Sequence, residues 1–153
     1  MTSHGGFPDV SLLLPQTGPM QLLSRVLEHT AEQTCCAVET ARSGLFREPD
    51  GSVPAWVSLE YMAQCMAVHA GLAARARGEA VQPALLLGSR RLRLAVDRFD
   101  SGCTLRVSAR HHRGERGLVA FDCEVRDEPG RTLLAEGRLL AYTLEDGLPG
   151  RAG

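Results

Sequence analysis

The sequence predicts an α+β fold in which one long helix packs against one antiparallel sheet. Three features point to this arrangement: a single long helical segment lies in the middle of the chain, two segments of strand length precede it, and four follow it. The 153 residues are 44% hydrophobic, and a chain of this length buries roughly 70% of its unfolded surface as one domain. We therefore expect a single domain over residues 1–153, with frayed ends at 1–7 and 145–153.

The first third of the chain predicts a short helical turn followed by a β-hairpin. Residues 11–15 have the pattern of a helical turn that a proline ends. Residues 20–29 are mostly apolar with polar residues between, and residues 33–40 alternate more clearly, so we expect a hairpin that turns at 30–32. A proline, an aspartate and two glycines in residues 44–53 predict a loop.

The central segment is predicted to be a long helix. Pro54 suits the first helical position, helix-forming residues continue through Arg77, and Gly78 suits the end. Residues 55–74 are apolar on most sides, which is typical of a helix wrapped by other structure. A single carboxylate, that of Glu60, lies in the second turn of this helix.

After the helix the apolar pattern changes to a period of two residues. Four runs have the length of a strand, and turns that contain Asp or Gly separate them. These runs are residues 84–94, 103–113, 118–126 and 131–143. A layer of antiparallel strands with one helix on its face is an α+β arrangement.

The composition excludes several classes of protein. The net charge of −1 argues against nucleic acid as the main partner. No apolar run approaches the roughly 20 residues of a membrane span, and the first residues show no secretory signal, so we expect a cytoplasmic protein without a membrane span. The five cysteines lack metal-ligand spacing, and the sequence has no phosphate-binding loop or dinucleotide motif. We expect buried reduced thiols, no metal and no cofactor.

The near-zero net charge hides a basic middle of the chain. All 17 basic residues are Arg, and residues 61–113 carry nine of them against three acidic residues. Four of these arginines lie on one predicted strand and its exit: Arg90, Arg91, Arg93 and Arg98. One interpretation is a solvated surface that promotes solubility. The other is a docking surface for an acidic partner, whose phosphate the guanidinium groups bind.

Three segments of the chain resemble one protein family. They are residues 14–26 (LPQTGPMQLLSRV), residues 53–64 (VPAWVSLEYMAQ, which ends in Glu-x-Met-Ala-Gln) and residues 85–107. They are similar to the first strand, the helix start and the two following strands of hotdog-fold 3-hydroxyacyl-acyl-carrier-protein dehydratases, and are most similar to the branch linked to aryl-polyene pigment clusters. The resemblance spans roughly residues 10–143. It implies a curved antiparallel sheet wrapped around one long helix, and a dimer, because the sheet otherwise leaves an open edge.

The resemblance also implies a reaction and its site. The substrate is a 3-hydroxyacyl thioester on the phosphopantetheine arm of an acyl carrier protein, in fatty-acid or aryl-polyene biosynthesis. Dehydration removes a proton from C2, stabilises charge on the thioester oxygen and protonates the departing hydroxide. Glu60 is implied as the acid, because burial in an apolar helix favours the protonated carboxyl. The backbone N–H groups of Ala55 and Trp56 at the helix start are the implied oxyanion donors.

Three further roles follow from the resemblance. Gln64, one helical turn after Glu60, is expected either to orient that carboxylate or to contact the substrate. Trp56 is expected to anchor the core, to line the acyl tunnel, or to do both. The four arginines are the candidate docking surface for the carrier protein and its phosphate.

One position departs from the family. The histidine that serves as the base of the family stands before the first strand, and this chain has Gln16 there. An amide cannot accept a proton at neutral pH, so we expect a homodimer to be a poor dehydratase. The family combines the base of one subunit with the carboxylate of another, so a related subunit that keeps its histidine would complete one site with Glu60.

Two alternatives remain open from the sequence. The chain is a non-catalytic subunit that supplies structure, tunnel wall or carrier docking to an active partner. Otherwise Gln16 orients a thioester while Glu60 activates water, which is the chemistry of a thioesterase.

Overall fold

The described residues form one α-helix and eight strands. The computed structural model describes residues 6–42, 44–81, 84–112, 116–128 and 132–143. The helix α1 is Ser58–Ala76, and a 3-10 turn, Ala55–Val57, precedes it. The strands are β1 (Arg25–His29), β2 (Gln33–Glu39), β3 (Val53–Pro54), β4 (Ala84–Leu94), β5 (Arg98–Phe99), β6 (Thr104–His112), β7 (Leu118–Asp127) and β8 (Leu133–Thr143).

Six strands form the main sheet, in the order β1-β2-β6-β7-β8-β4, and every neighbouring pair is antiparallel. Two of these strands precede the helix and four follow it, which confirms the predicted order and the α+β class. The short strands β3 and β5 pair with each other in a separate ladder. The sequence did not predict this pair, because two residues are too few to show a period.

The helix starts slightly later than predicted. Pro54 is extended, with ψ of 137°, and belongs to β3 rather than to the first turn of the helix. The chain then turns through the 3-10 segment before α1 begins. At the other end, Gly78 has a φ of +66° two residues after the last helical residue. Glycine adopts this left-handed conformation easily, so the predicted end of the helix is confirmed.

The hydrophobic core lies between α1 and the strands β2, β6 and β7. Alternate residues of β6 and β7 face this core, as a period of two requires: Leu105, Val107, Ala109, Phe121, Cys123 and Val125. Four of the five cysteines are buried, and all five are free thiols. Gly71 of α1 packs closely on the turn near Leu13, because a Cβ at Gly71 would lie 3.4 Å from the Leu13 Cδ2 and carbonyl oxygen.

Strand β4 is one of the two edges of the main sheet, and β1 is the other. The eleven residues of β4 are all exposed, and β8 is its neighbour on the other side. Leu85, Leu86 and Leu87 are 45%, 47% and 57% exposed. The helix lies over strands nearer the middle of the sheet, so these leucines have no layer above them.

Most of the predicted frayed ends lie outside the described residues. Phe7, which was predicted to belong to the frayed start, is partly buried and packs against the core. Within the described part of the chain, no helix is long and apolar enough to cross a membrane.

Candidate active site

Gln64 and Glu60 form the centre of the candidate site. Both lie on α1, one turn apart, and the Gln64 Nε2 donates to the Glu60 Oε1 at 2.9 Å. Gln64 has no exposed surface, whereas Glu60 is only partly buried. The amide therefore fixes one carboxylate oxygen, and the other oxygen, Oε2, has no hydrogen-bond partner within the described residues.

Gln64 also binds the segment that leads into β1. Its Nε2 donates to the carbonyl of Met20 at 2.7 Å, and its Oε1 accepts from the N–H of Leu22 at 3.0 Å. One buried amide thus connects Glu60 to the segment that carries Gln16. The sequence placed Gln64 beside Glu60 but gave no sign of this second connection, because 42 residues separate Gln64 from Leu22.

Gln16 stands just before this connected segment. A 3-10 turn, Gly18–Met20, follows it, and that turn carries the carbonyl that Gln64 binds. The side-chain oxygen of Gln16 is buried and has no hydrogen-bond partner within the described residues. A buried acceptor without a donor is costly, so the side chain of Gln16 is not stabilised by a hydrogen bond at its oxygen within the described residues.

The helix start differs from the sequence expectation at one of its two amides. The N–H of Ala55 already donates to the carbonyl of Asp97 at 3.0 Å. Ala55 therefore cannot offer a free N–H to an oxyanion in this structure, and the prediction for that residue is wrong. The hydroxyl of Ser58 donates a hydrogen bond to the Ala55 carbonyl. Trp56 remains the candidate donor of the pair.

Trp56 is not a core anchor in the described chain. It is 58% exposed, and its ring meets the edge of Phe46 at a centroid distance of 5.7 Å. It stands at the rim of an open depression of about 500 Å³ that β3, β5 and the preceding loop surround. The lining residues of this depression are Glu48, Pro49, Asp50, Ser52, Pro54, Trp56, Asp97 and Arg98.

One face of α1 remains uncovered. Trp56, Leu59, Glu60, Ala63 and Ala67 follow one another at helical spacing, and each is exposed or only partly buried. The rest of the helix is covered by the sheet and by the segment before β1. Glu60 therefore opens toward the one side of the helix where a further layer can pack, which explains why it is less buried than the sequence predicted.

The structure also brings together three histidines that the sequence kept apart. His69 of α1 lies 5.2 Å from His29 and 5.9 Å from His111, measured between ring centroids. The hydroxyl of Thr34 bonds the Nδ1 atoms of both His69 and His29, at 2.8 and 2.7 Å. Burial, together with the smaller effect of the two neighbouring histidines, lowers the pKa of His69 from 6.5 to about 4.

This histidine cluster is separate from Glu60. Nine residues of helix place His69 about 13 Å along the axis and on the opposite face. His69 is buried on the opposite face of the helix, and its low pKa makes it a weak proton acceptor, so it cannot serve as a base for the Glu60 site. No group of His, Cys, Asp or Glu side chains in the described ranges is arranged to hold a metal ion.

The four candidate docking arginines separate into two places. Arg90, Arg91 and Arg93 lie on the open edge strand β4, whereas Arg98 lies on β5 and pairs with Asp50 at 3.5 Å. Arg91 has a φ of +55° within a break in the ladder between Arg90 and Arg93. Their role in docking a carrier protein stays a prediction.

A long helix wrapped by one antiparallel sheet defines the hotdog fold, and known structures agree. The chain is similar to Cj0977, a sigma28-regulated virulence protein from Campylobacter jejuni, with a TM-score of 0.63 at 10% identity over 90% of this chain and 95% of that one. It is also similar to a hypothetical thioesterase with coenzyme A from Streptococcus pneumoniae TIGR4, with a TM-score of 0.60 at 9% identity over 78% and 84%. These two likenesses show the fold alone.

The family follows from a closer likeness. The ApeP-like family, described as ApeP dehydratase, matches residues 8–148. A chain of the dehydratase heterocomplex ApeI:P from Xenorhabdus doucetiae is 30% identical, with a TM-score of 0.81 over 90% of this chain and 91% of that one. The chain therefore belongs to the ApeP-like dehydratase family, which confirms the predicted resemblance. Among curated proteins, none matches this sequence.

Proposed function

We propose that this chain is the acid-bearing subunit of a cytoplasmic heteromeric dehydratase that acts on 3-hydroxyacyl thioesters carried by an acyl carrier protein. The observation that carries the proposal is the buried amide of Gln64, which holds one oxygen of Glu60 and leaves the other free. Such a carboxyl presents one defined oxygen to a substrate, as a general acid requires.

In the proposed reaction Glu60 supplies the proton that converts the leaving hydroxide into water. A base on the partner subunit removes the proton at C2 while the C3–O bond breaks, and the double bond forms between C2 and C3. Charge that develops on the thioester oxygen is stabilised by N–H donors at the helix start, among which Trp56 is the candidate of this chain. The base ends protonated and Glu60 ends ionised, and exchange with water restores both.

The partner subunit is proposed because this chain lacks a base of its own at the family position. Gln16 stands there, and its side-chain oxygen is buried without a donor. Two further observations support a second subunit: the helix face that carries Glu60 is uncovered, and the edge strand β4 exposes a row of leucines. The related chain from Xenorhabdus doucetiae belongs to a heterocomplex, which is the arrangement proposed here.

A dehydration assay tests the proposal. The chain is combined with a related hotdog subunit that keeps its histidine, and formation of the 2-enoyl thioester on the carrier is followed by mass spectrometry. We expect Glu60→Gln to reduce the rate by about 10²- to 10⁴-fold, the contribution typical of one general acid. Glu79→Gln is the matched control, because Glu79 is an exposed carboxylate that pairs with Arg77 beyond the helix, and it should leave the rate unchanged.

The chain assayed alone decides among the alternatives. We expect almost no dehydration by the wild-type chain alone and measurable activity once Gln16→His restores a base. Full activity of the wild-type chain alone would refute the interpretation of Gln16. Release of a free thiol from the substrate would identify a thioesterase, and an active complex that ignores Glu60→Gln would identify a non-catalytic subunit.

A further inference from the structure

The β4 edge of the main sheet carries charge of one sign. Strand β4 contains three arginines and no acidic residue. Within the described chain, neither Arg90 nor Arg91 has an ion-pair partner, and Arg93 reaches the carboxylate of Glu136 only at 3.9 Å while 81% of its side chain is exposed. The second half of this edge is therefore a cationic strip whose charge is compensated only weakly, by Glu136.

The first half of the same strand is apolar. Leu85, Leu86 and Leu87 are each about half exposed, although β8 pairs along this part of the strand. A sheet edge with exposed leucines and unpaired backbone groups binds another strand readily. Such an edge is normally protected by charge or by a partner, and here charge covers only the half that begins at Arg90.

The neighbouring strand neutralises these arginines only in part. Glu136 of β8 faces Arg93 and contacts it at 3.9 Å. Arg90 instead faces Arg138, whose guanidinium is already bound to Asp122 at 2.8 and 3.1 Å. Within the described residues, Arg90 and Arg91 therefore have no carboxylate partner, and one that neutralises them has to come from another molecule.

We infer that the edge of β4 pairs with an acidic edge strand of a related but different subunit, and that its arginines act against pairing with a second copy of this chain. This inference rests on the proposed heteromer and adds the feature that selects the partner. It assigns Arg90, Arg91 and Arg93 to subunit choice.

A symmetric pair of two copies leaves the arginines without acceptors in every register. Because β4 contains no acidic residue, no register can place a carboxylate opposite an arginine. A pair centred on Ser89 puts Arg91 opposite Leu87 and Arg93 opposite Leu85, which removes water from guanidinium groups without giving them an acceptor. A pair shifted toward the end of the strand puts Arg90 opposite Arg93, and like charges in facing positions are unfavourable. An acidic strand avoids both costs.

The chain itself provides the probe for this inference. The triple variant R90E/R91E/R93E has an acidic edge on an otherwise identical fold. Wild type and an isotopically labelled variant are mixed at about 0.01 M salt, where the screening length of about 30 Å approaches the length of the strand. Native mass spectrometry then counts the dimers. Random pairing of equal amounts of the two chains would make half of all dimers mixed, and we expect a larger share. The mixed dimer should bind about tenfold more tightly than the wild-type pair, and this preference should disappear near 1 M salt.

Two further variants separate this effect from general charge. R90Q/R91Q/R93Q removes the repulsion without adding attraction, so it should self-associate more tightly than wild type. R42E/R75E/R77E makes the same change of charge away from β4, and it should not form excess mixed dimers. Thermal unfolding of each variant confirms that the fold is intact.

Three outcomes would overturn the inference. The first is a statistical proportion of mixed dimers at low salt, and the second is the absence of dimers in every mixture. The third is a glutamate variant that pairs like wild type but loses affinity for an acyl carrier protein, which would assign the arginines to carrier docking. The readout is association alone, so an inactive Glu60 site would not produce any of these results.

Discussion

Acidification should destabilise the fold through His69. This side chain is only 4% exposed, and burial together with His29 and His111 lowers its pKa from an ordinary 6.5 to about 4. Between these two values the unfolded chain binds a proton that the folded chain does not bind. The free energy of unfolding therefore falls as the pH drops from 6.5 toward 4, and is unaffected by this group above 6.5.

The size of the effect follows from the same two pKa values. One pKa unit corresponds to about 1.4 kcal/mol, so the folded state loses about 3 kcal/mol of stability relative to neutral pH through His69. This is a large part of the 5–15 kcal/mol that is typical of a small domain. The main cause is the loss of hydration on burial, and a charged ring at His69 would also lie near the imidazoles of His29 and His111.

Urea unfolding, followed by circular dichroism at several values between about pH 7.5 and about pH 4, measures this loss. The control is His69→Phe, which keeps a ring beside Phe121, removes the titrating group and leaves Thr34 bonded to His29. Carboxylates titrate in both proteins, so the difference between the two curves isolates His69. A wild-type curve that runs parallel to that of the variant would refute the reasoning.

Three further predictions concern packing and strain, and urea unfolding measures all of them. Gln64→Leu should lower the free energy of unfolding by about 2–4 kcal/mol, because three hydrogen bonds are lost and the buried N–H of Leu22 and the partly buried carbonyl of Met20 lose their partner; a loss below about 1 kcal/mol would contradict this. Gly71→Ala should be tolerated while Gly71→Val costs about 1–3 kcal/mol, since a Cβ at Gly71 lies 3.4 Å from Leu13; equal stabilities would show that the contact relaxes. Gly117→Val should cost about 1–3 kcal/mol, because Gly117 has a φ of +81° and a Cβ there would lie 3.2 Å from Tyr142, and an unchanged Tm would oppose it.

The sequence predicted the large elements of this fold because each has a strong period of its own. The helix, the second strand of the first hairpin and the strand Ala84–Leu94 were predicted within a few residues of their observed bounds, whereas β1 begins at Arg25, five residues later than predicted. The pair β3 and β5 was missed, since two residues carry no period and Pro54 suggested a helix start. Next to this small ladder, the N–H of Ala55 donates to the carbonyl of Asp97.

The candidate site was predictable in its residues but not in its connections. Spacing alone puts Gln64 one turn from Glu60, and the structure adds that the same amide holds Met20 and Leu22. The histidine cluster could not be read from the sequence, because it depends on which strands lie side by side. His29 is the last residue of β1, and His111 is the last but one residue of β6. Their rings lie near His69 because β1, β2 and β6 are neighbours in the sheet that α1 packs against.

Gln64 does more than orient Glu60, because it also binds the backbone of the segment before β1. If Gln64 only filled space, its amide would need no acceptor on Glu60, yet its Nε2 divides its two hydrogens between Glu60 and Met20 while its Oε1 takes the N–H of Leu22. One buried amide therefore connects Glu60 to the segment that carries Gln16. In the proposed heteromer, a second subunit that docks on the exposed side of α1 contacts Glu60 and this segment together. The proposed function then also requires selection of that partner, which the charge on β4 can supply.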